Sequence, residues 1–255
     1  MNRSKYRIAI VNYINTWPFI KGLSDPSIKN QIELIECSPA KCAAYFEEGS
    51  VDISLVPTGA LIDKEYTIIS DFGIASDGPV ASVCLLANNP VDKLEKVYLD
   101  YQSRTSVLLV QLLFKNYWKK EIQFIDALPG FETDPYDLNT GILVIGDRAL
   151  ELKSTFRYNY DLGQEWKNYA SLPFVYAAWV CHPPISDAFL DLFNKALLLG
   201  VESIQCNRWP EPKVSIRLEE YFTKNIKYWL DDTYFLGMQK FISESTDILS
   251  ASNAL

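Results

Sequence analysis

The chain has 255 residues, 48% hydrophobic and 22% charged, with 24 basic against 32 acidic side chains and a net charge of −8. That length suits one large domain or two small ones. The acidic balance argues against a nucleic-acid partner, which needs a basic stripe to meet phosphates. No stretch reaches the ~18 uncharged apolar residues of a membrane helix, so no membrane partner is expected. A small anion stays open as a ligand, because backbone N–H groups and hydroxyls at helix starts hold anions without surplus Lys or Arg.

The start, Met1 to Arg7, is basic, but only Ile8 to Val11 follows as an apolar run. Secretory cores run to ~7–15 residues, so no signal peptide is read and a cytoplasmic location is expected. The five cysteines form no C-x-x-C pair and His182 is the single histidine. That leaves no zinc-ligand set, and the thiols are expected to be reduced and mostly buried.

In chain order, Arg7–Val11 reads as a strand and Pro18–Leu23 as a short helix opening on proline. Ile32–Glu36 is a strand. Ser38-Pro39 then caps a helix that runs to Glu48 and stops at Gly49. Val51–Pro57, Ile68–Phe72 and Ala81–Ala87 are further strands. A second series follows: strand Lys96–Asp100, helix Ser103–Tyr117, strands Ile122–Phe124 and Gly141–Ile145, a helix opening over Asp147–Leu152, and strand Phe174–Val180. Beyond Ile185 the chain reads as largely helical, ending in an amphipathic helix around Leu230–Ser243. Alternating strands and helices predict an α/β fold with parallel sheets, and two such series predict two lobes.

In parallel α/β sheets ligands sit beyond the carboxyl ends of strands, at helix N-termini. The post-strand segments carry Asn15 and Thr16, Ser38, Thr58, Ser82, then Ser103, Thr105 and Ser106, and Gly146-Asp147-Arg148. Each alone reads as a cap or a turn residue. As a set they describe a cleft of neutral donors at several helix starts, suited to carboxylate or phosphate groups. No Ser/His/Asp triad, P-loop or dinucleotide fingerprint is present. His182 precedes Pro183-Pro184 and is expected to be structural, at a lobe crossing. These residues support a two-lobed binder of a small anion, and leave transport receptor and enzyme both open.

Five segments, in order, resemble one family: Val11-x-Tyr13-x-Asn15-Thr16-x-Pro18-Phe19, Gly78-Pro79-Val80-x-Ser82-Val83, Asp100-x-x-Ser103-x-Thr105-Ser106, Gly146-Asp147-Arg148-Ala149-Leu150, and Asp161-Leu162-Gly163-x-Glu165-Trp166 followed by Leu172-Pro173-Phe174-Val175-Tyr176-Ala177-x-Trp179. They resemble the chorismate dehydratases that open the futalosine route to menaquinone. The resemblance implies a periplasmic-binding-protein-like fold of the second type, with two α/β lobes and a ligand cleft between them. Residues 1–88 plus 181–255 would form lobe one, and 89–180 lobe two. It also implies a cytoplasmic lyase that converts chorismate to 3-[(1-carboxyvinyl)oxy]benzoate and water without cofactor or metal. On this reading Asn15 is the catalytic residue, and Ser38, Thr58, Ser82, Ser103, Thr105, Ser106, Asp147 and Arg148 hold substrate, with Tyr13 and Trp17 walling the cleft. The base is either the substrate's own enolpyruvyl carboxylate or a cleft carboxylate such as Asp147. The rivals are a solute-binding protein for a small carboxylate, and the sibling enzyme that makes 1,4-dihydroxy-6-naphthoate, which is expected to use a histidine.

Overall fold

The computed structural model describes residues 5–182, 184–206 and 218–252. The basic residues at the start, up to Ser4, and Pro183 of the expected crossing lie outside the described residues. Two sheets organise the chain. The first holds β1 (Tyr6–Val11), β2 (Ile32–Cys37), β3 (Ile53–Pro57), β4 (Thr67–Ser76), β10 (Phe174–Cys181) and β11 (Lys227–Trp229), in the order β11-β4-β10-β3-β1-β2. The second holds β5 (Val83–Ala87), β6 (Lys96–Leu99), β7 (Gln123–Asp126), β8 (Thr140–Ile145) and β9 (Tyr158–Asp161), in the order β7-β6-β8-β5-β9.

The helices in chain order are α1 (Trp17–Leu23), α2 (Pro26–Lys29), α3 (Pro39–Glu47), α4 (Arg104–Leu112), α5 (Asp147–Leu152), α6 (Leu162–Ala170), α7 (Asp187–Glu202), α8 (Leu218–Glu220) and α9 (Asp232–Ser252). Their starts follow local chemistry. Proline stands in the first turn of α1, α2 and α3, where its missing N–H costs nothing. Ser103 Oγ accepts the Ser106 N–H at 3.0 Å to cap α4, and Ser186 caps α7. The expected strands and helices are present with ends shifted by a few residues, and α5 starts at Asp147 as expected.

The sheets are mixed, which corrects the expectation of parallel ones. β1 pairs in parallel with β2 and β3, but β10 runs antiparallel to β3 and β4, and β5 antiparallel to β8 and β9. Every residue of β5 and β10 is buried. A strand covered on both faces reads as an unbroken apolar run in either direction, so the sequence carries no signal for its polarity. The assignment of strands to lobes also changes. β5, expected in lobe one, is hydrogen-bonded between β8 and β9 of the second sheet, while β10, expected in lobe two, is bonded between β3 and β4 of the first. The chain therefore passes between sheets at residues 77–82 and returns over residues 162–173.

Both passages are tied together by Asp161. Its carboxylate accepts the N–H groups of Val80 (3.0 Å) and Ala81 (2.6 Å) in the first, and of Gly163 (3.0 Å) and Gln164 (3.2 Å) at the start of α6. These bonds hold Ala81 in a left-handed conformation, φ 66°, that a residue with a Cβ rarely adopts. On the far side α9 spans the two sheets. Phe241 packs edge-on against Trp166 of α6 and Phe174 of β10, and the Tyr169 hydroxyl donates to Glu244 at 2.9 Å.

Candidate active site

Antiparallel β10 brings its N-terminal end to the carboxyl ends of β1 and β3, and the second sheet faces them with the start of α4 and the end of β8. The cleft between holds about 550 Å³ of empty space, part of it open to solvent. Its polar lining is Tyr13, Asn15, Thr16, Ser82, Ser103, Thr105, Ser106 and Tyr176. Val11, Pro39, Pro57, Ile74, Val80, Val83, Ile145 and Ala177 supply apolar wall, and Gly146 completes the floor. No carboxylate, ammonium, guanidinium or imidazole is among these lining residues. What the site offers is neutral hydroxyls, one amide and the positive end of α4.

The first loop explains its own composition. Thr16, fully buried, places its Oγ1 2.5 Å from the Val11 carbonyl and 2.8 Å from that of Tyr13, which folds the loop back on β1. The Asn15 carbonyl accepts the Tyr228 hydroxyl at 2.7 Å. So anchored, the Asn15 side chain enters the cleft, and its Oδ1 is buried with no hydrogen-bond partner. A buried acceptor left in that state costs about 1–3 kcal/mol, a cost that a ligand hydroxyl or N–H offsets on binding. Tyr13 reaches across and donates to Gln102 Oε1 at 2.5 Å. Its ring lies on Gly146, where a Cβ would meet ring carbons at 3.0–3.1 Å; Gly146 also holds φ 65° and ψ −145°. Only glycine suits both the contact and the backbone there.

Other contacts also close the lobes. Gly59 N–H donates to Thr105 Oγ1 at 2.9 Å, and a Cβ on Gly59 would stand 2.8 Å from the Thr105 Cα. Thr105 Oγ1 in turn donates to the Tyr176 carbonyl at 3.3 Å. Outside the cleft Arg104 of α4 pairs with Glu47 of α3 at 3.2 Å.

Of the expected site residues, Asn15, Ser82, Ser103, Thr105 and Ser106 come together on the cleft wall, as does Tyr13. Ser38, Thr58, Asp147 and Arg148 do not line it. Ser38 is the residue before α3, and its neighbour Pro39 reaches the cleft instead. Thr58 is fully buried and its hydroxyl is taken by the Val175 carbonyl at 2.8 Å. Asp147 Oδ1 accepts the Ile14 N–H at 3.2 Å, holding the first loop to the second lobe from outside the lining. Arg148 forks onto buried Asp100 at 2.7 and 2.9 Å and reaches Glu132 at 3.2 Å. Burial pushes the Asp100 carboxyl up, and Arg148 and the Gln102 N–H act against it. A guanidinium committed in this way is a fastening of the 100–102 turn, not a free anion ligand. Trp17 faces Phe222, with ring centroids 5.9 Å apart, rather than the cleft.

His182 is also misplaced by the sequence reading. It follows the far end of β10, five residues beyond the last cleft residue of that strand, and is not at a passage between sheets. Its Nε2 lies 2.6 Å from the Phe46 carbonyl and its ring stacks on Phe46. Sequence reasoning missed Gln102, Tyr221 and Tyr228, which touch cleft residues through hydroxyl or amide groups. The last two come from a segment more than 200 residues from Asn15, and no local pattern links them.

Burial raises the phenols of both Tyr13 and Tyr176, so both stay protonated donors near neutrality. Among the described residues no helix is long and apolar enough to cross a membrane.

Comparison with known proteins agrees with this architecture. The chain is 26% identical to a protein named chorismate dehydratase from Thermus thermophilus, over 92% of this chain and 93% of that one. Among solved structures it is similar to an ABC transporter protein from Parabacteroides distasonis, with TM-score 0.66 and 14% identity over 96% and 92% of the two chains. It is likewise similar to the periplasmic aliphatic sulphonate binding protein SsuA from Escherichia coli, with TM-score 0.64 and 15% identity over 100% and 89%. At such identities these structures speak for the fold alone, which is the expected periplasmic-binding-protein-like one. A family model described as menaquinone biosynthesis matches residues 6–245, nearly the whole chain, and the chain belongs to that family.

Proposed function

We propose that this protein is a hydro-lyase that removes water from chorismate, giving 3-[(1-carboxyvinyl)oxy]benzoate. The observation that carries the reading is the buried, unpartnered Asn15 Oδ1 in a cleft whose other polar groups are neutral donors. Chorismate presents two carboxylates and a C4 hydroxyl. The hydroxyls of Ser82, Ser103 and Ser106 and the start of α4 suit the carboxylates, and Asn15 Oδ1 suits the C4 O–H. The similarity to the Thermus thermophilus protein supports the same substrate.

The chemistry asks little of the protein. The proton leaves C3 and the hydroxyl leaves C4, and the ring becomes aromatic, so the driving force is already in the substrate. Charge that develops on losing the C3 proton spreads onto the ring carboxylate, where fixed donors stabilise it. Among the described residues the lining holds no side chain with a base of useful pKa, and an amide cannot act as one. The enolpyruvyl carboxylate of the substrate itself therefore takes the C3 proton and returns it to the departing C4 oxygen, which leaves as water. The protein supplies orientation and shielding: Asn15 fixes the C4 oxygen, and Tyr13, closed onto Gln102 and Gly146, walls one side of the cleft against solvent. Purified protein incubated with chorismate is the test. The expected product is lighter by one water and has a benzoate-like absorbance; unchanged chorismate would reject the reading.

A further inference from the structure

One segment near the C-terminus fastens both halves of the cleft's polar wall. The short helix α8 runs into a wide π-type turn over Tyr221–Asn225, followed by β11. From this segment the Tyr221 hydroxyl donates to Ser82 Oγ at 2.9 Å, Asn225 donates to the Pro79 carbonyl at 3.0 Å, and Tyr228 donates to the Asn15 carbonyl at 2.7 Å. Tyr221 is 3% exposed and Ser82 1% exposed, so their bond is shielded from water.

We propose that Tyr221 is a positioning residue of the cleft: by donating its hydroxyl proton to Ser82 Oγ it turns the Ser82 proton toward the substrate carboxylate. The inference rests on the dehydratase reading and deepens it. A serine hydroxyl has one proton to give and two lone pairs, and its rotor turns to suit its neighbours. Left alone, Ser82 could point its proton at the wall or into the cleft. A phenol is the more acidic of the two hydroxyls and hence the better donor, so the shared bond fills a Ser82 lone pair and leaves the Ser82 proton to be spent elsewhere. Ser82 lines the cleft, and its backbone carbonyl is already occupied by the Gly146 N–H at 2.8 Å. The open direction is the ligand.

The same phenol lies beside the Asn15 side chain: burial raises its pKa, and the bonds with Ser82 and then Asn15 act against it. Tyr221 thus stands behind both residues that face the substrate, Asn15 as acceptor and Ser82 as donor. A tyrosine present only to fill space would need no hydroxyl here, and phenylalanine would serve.

The experiment is a double-mutant cycle of Tyr221→Phe and Ser82→Ala, read as kcat and KM for chorismate, with thermal unfolding of all four proteins. Tyr221→Phe keeps the ring and its packing. It is expected to lower kcat/KM about tenfold or more in the parent protein and less than twofold when Ser82 is already alanine. Equal losses in both backgrounds, or no loss in the parent, would overturn the inference, because a purely structural phenol has no reason to act through Ser82. If the parent protein leaves chorismate unchanged, it is the dehydratase reading that fails. The same four proteins are then titrated with chorismate by calorimetry: binding weakened by Tyr221→Phe only where Ser82 is present supports the positioning role, and any other pattern rejects it.

Discussion

Replacing Gly146 by alanine tests whether Tyr13 is held as a wall of the cleft. Two costs can be read from the structure. At φ 65° and ψ −145° a Cβ is strained, by about 1–3 kcal/mol. The new methyl would also stand 3.0–3.1 Å from three ring carbons of Tyr13, well inside the ~3.5–4.0 Å of comfortable carbon contact. Overpacking of this kind adds about 1–3 kcal/mol. Together roughly 2–6 kcal/mol is expected, which for a chain of this size lowers Tm by about 4–24 °C. Gly49→Ala is the control. Gly49 has nearly the same φ, 66°, but a Cβ there meets nothing within 4 Å, so only the left-handed backbone term of ~1–2 kcal/mol applies. Melting curves of both variants set the combined cost at Gly146 against a backbone cost without contact at Gly49. With chorismate as substrate, Gly146→Ala is expected to lose at least about tenfold in kcat/KM as Tyr13 is pushed off Gln102, while Gly49→Ala stays within about twofold. If Gly146→Ala melts no lower than Gly49→Ala, or retains full turnover, Tyr13 is not the tight wall described here.

Asn15→Ala should lower kcat/KM by about 10²–10³, the range for losing one oriented polar group at a reacting centre. Its Tm should fall only slightly, because Oδ1 has no partner among the described residues and the amide's contact with the Tyr221 phenol is the one side-chain bond removed; a large drop in Tm would make Asn15 structural. Asp147→Asn keeps an oxygen for the Ile14 N–H and should retain turnover within about tenfold, whereas an inactive variant that still binds chorismate would transfer the base role to Asp147. The lining groups that ionise are Tyr13 and Tyr176, and both are raised by burial. They remain protonated until well above the usual phenol value of ~10. A profile of kcat/KM that is flat from about pH 6 to about pH 9 is therefore expected, and a limb inside that window would reveal a titrating acid or base outside the described lining residues.

Much of this was legible before the fold was seen. Apolar runs located the strands, and proline after a capping residue located the start of α3. The Ser103, Thr105 and Ser106 cluster was readable as a helix start aimed at an anion. Strand direction was not readable, because β5 and β10 are buried on both faces. The lobe boundaries implied by the resemblance put β5 and β10 on the wrong sides and His182 at a crossing, when antiparallel β10 carries it to the opposite edge. The fates of Thr58 and Arg148 were hidden for a related reason. A hydroxyl or guanidinium beyond a strand end can serve a ligand or the protein, and the choice depended on Val175 and Asp100, distant in the chain. The short strand β9, with the sequence YNYD, alternates aromatic and polar residues but is only four residues long and half Asn and Asp, which strands disfavour. Helix α6 carried its signal in Asp161, a capping residue that also fastens the passage between sheets.

The most direct measurement gives the purified protein chorismate in large excess, with a metal chelator present, and counts product molecules per protein by mass and ultraviolet absorbance. Many molecules of the dehydrated benzoate per protein, formed at a rate that falls with Asn15→Ala, are expected from a neutral cleft that orients a substrate carrying its own base. Chorismate that binds and is recovered unchanged would contradict it, and would make the cleft that of a receptor.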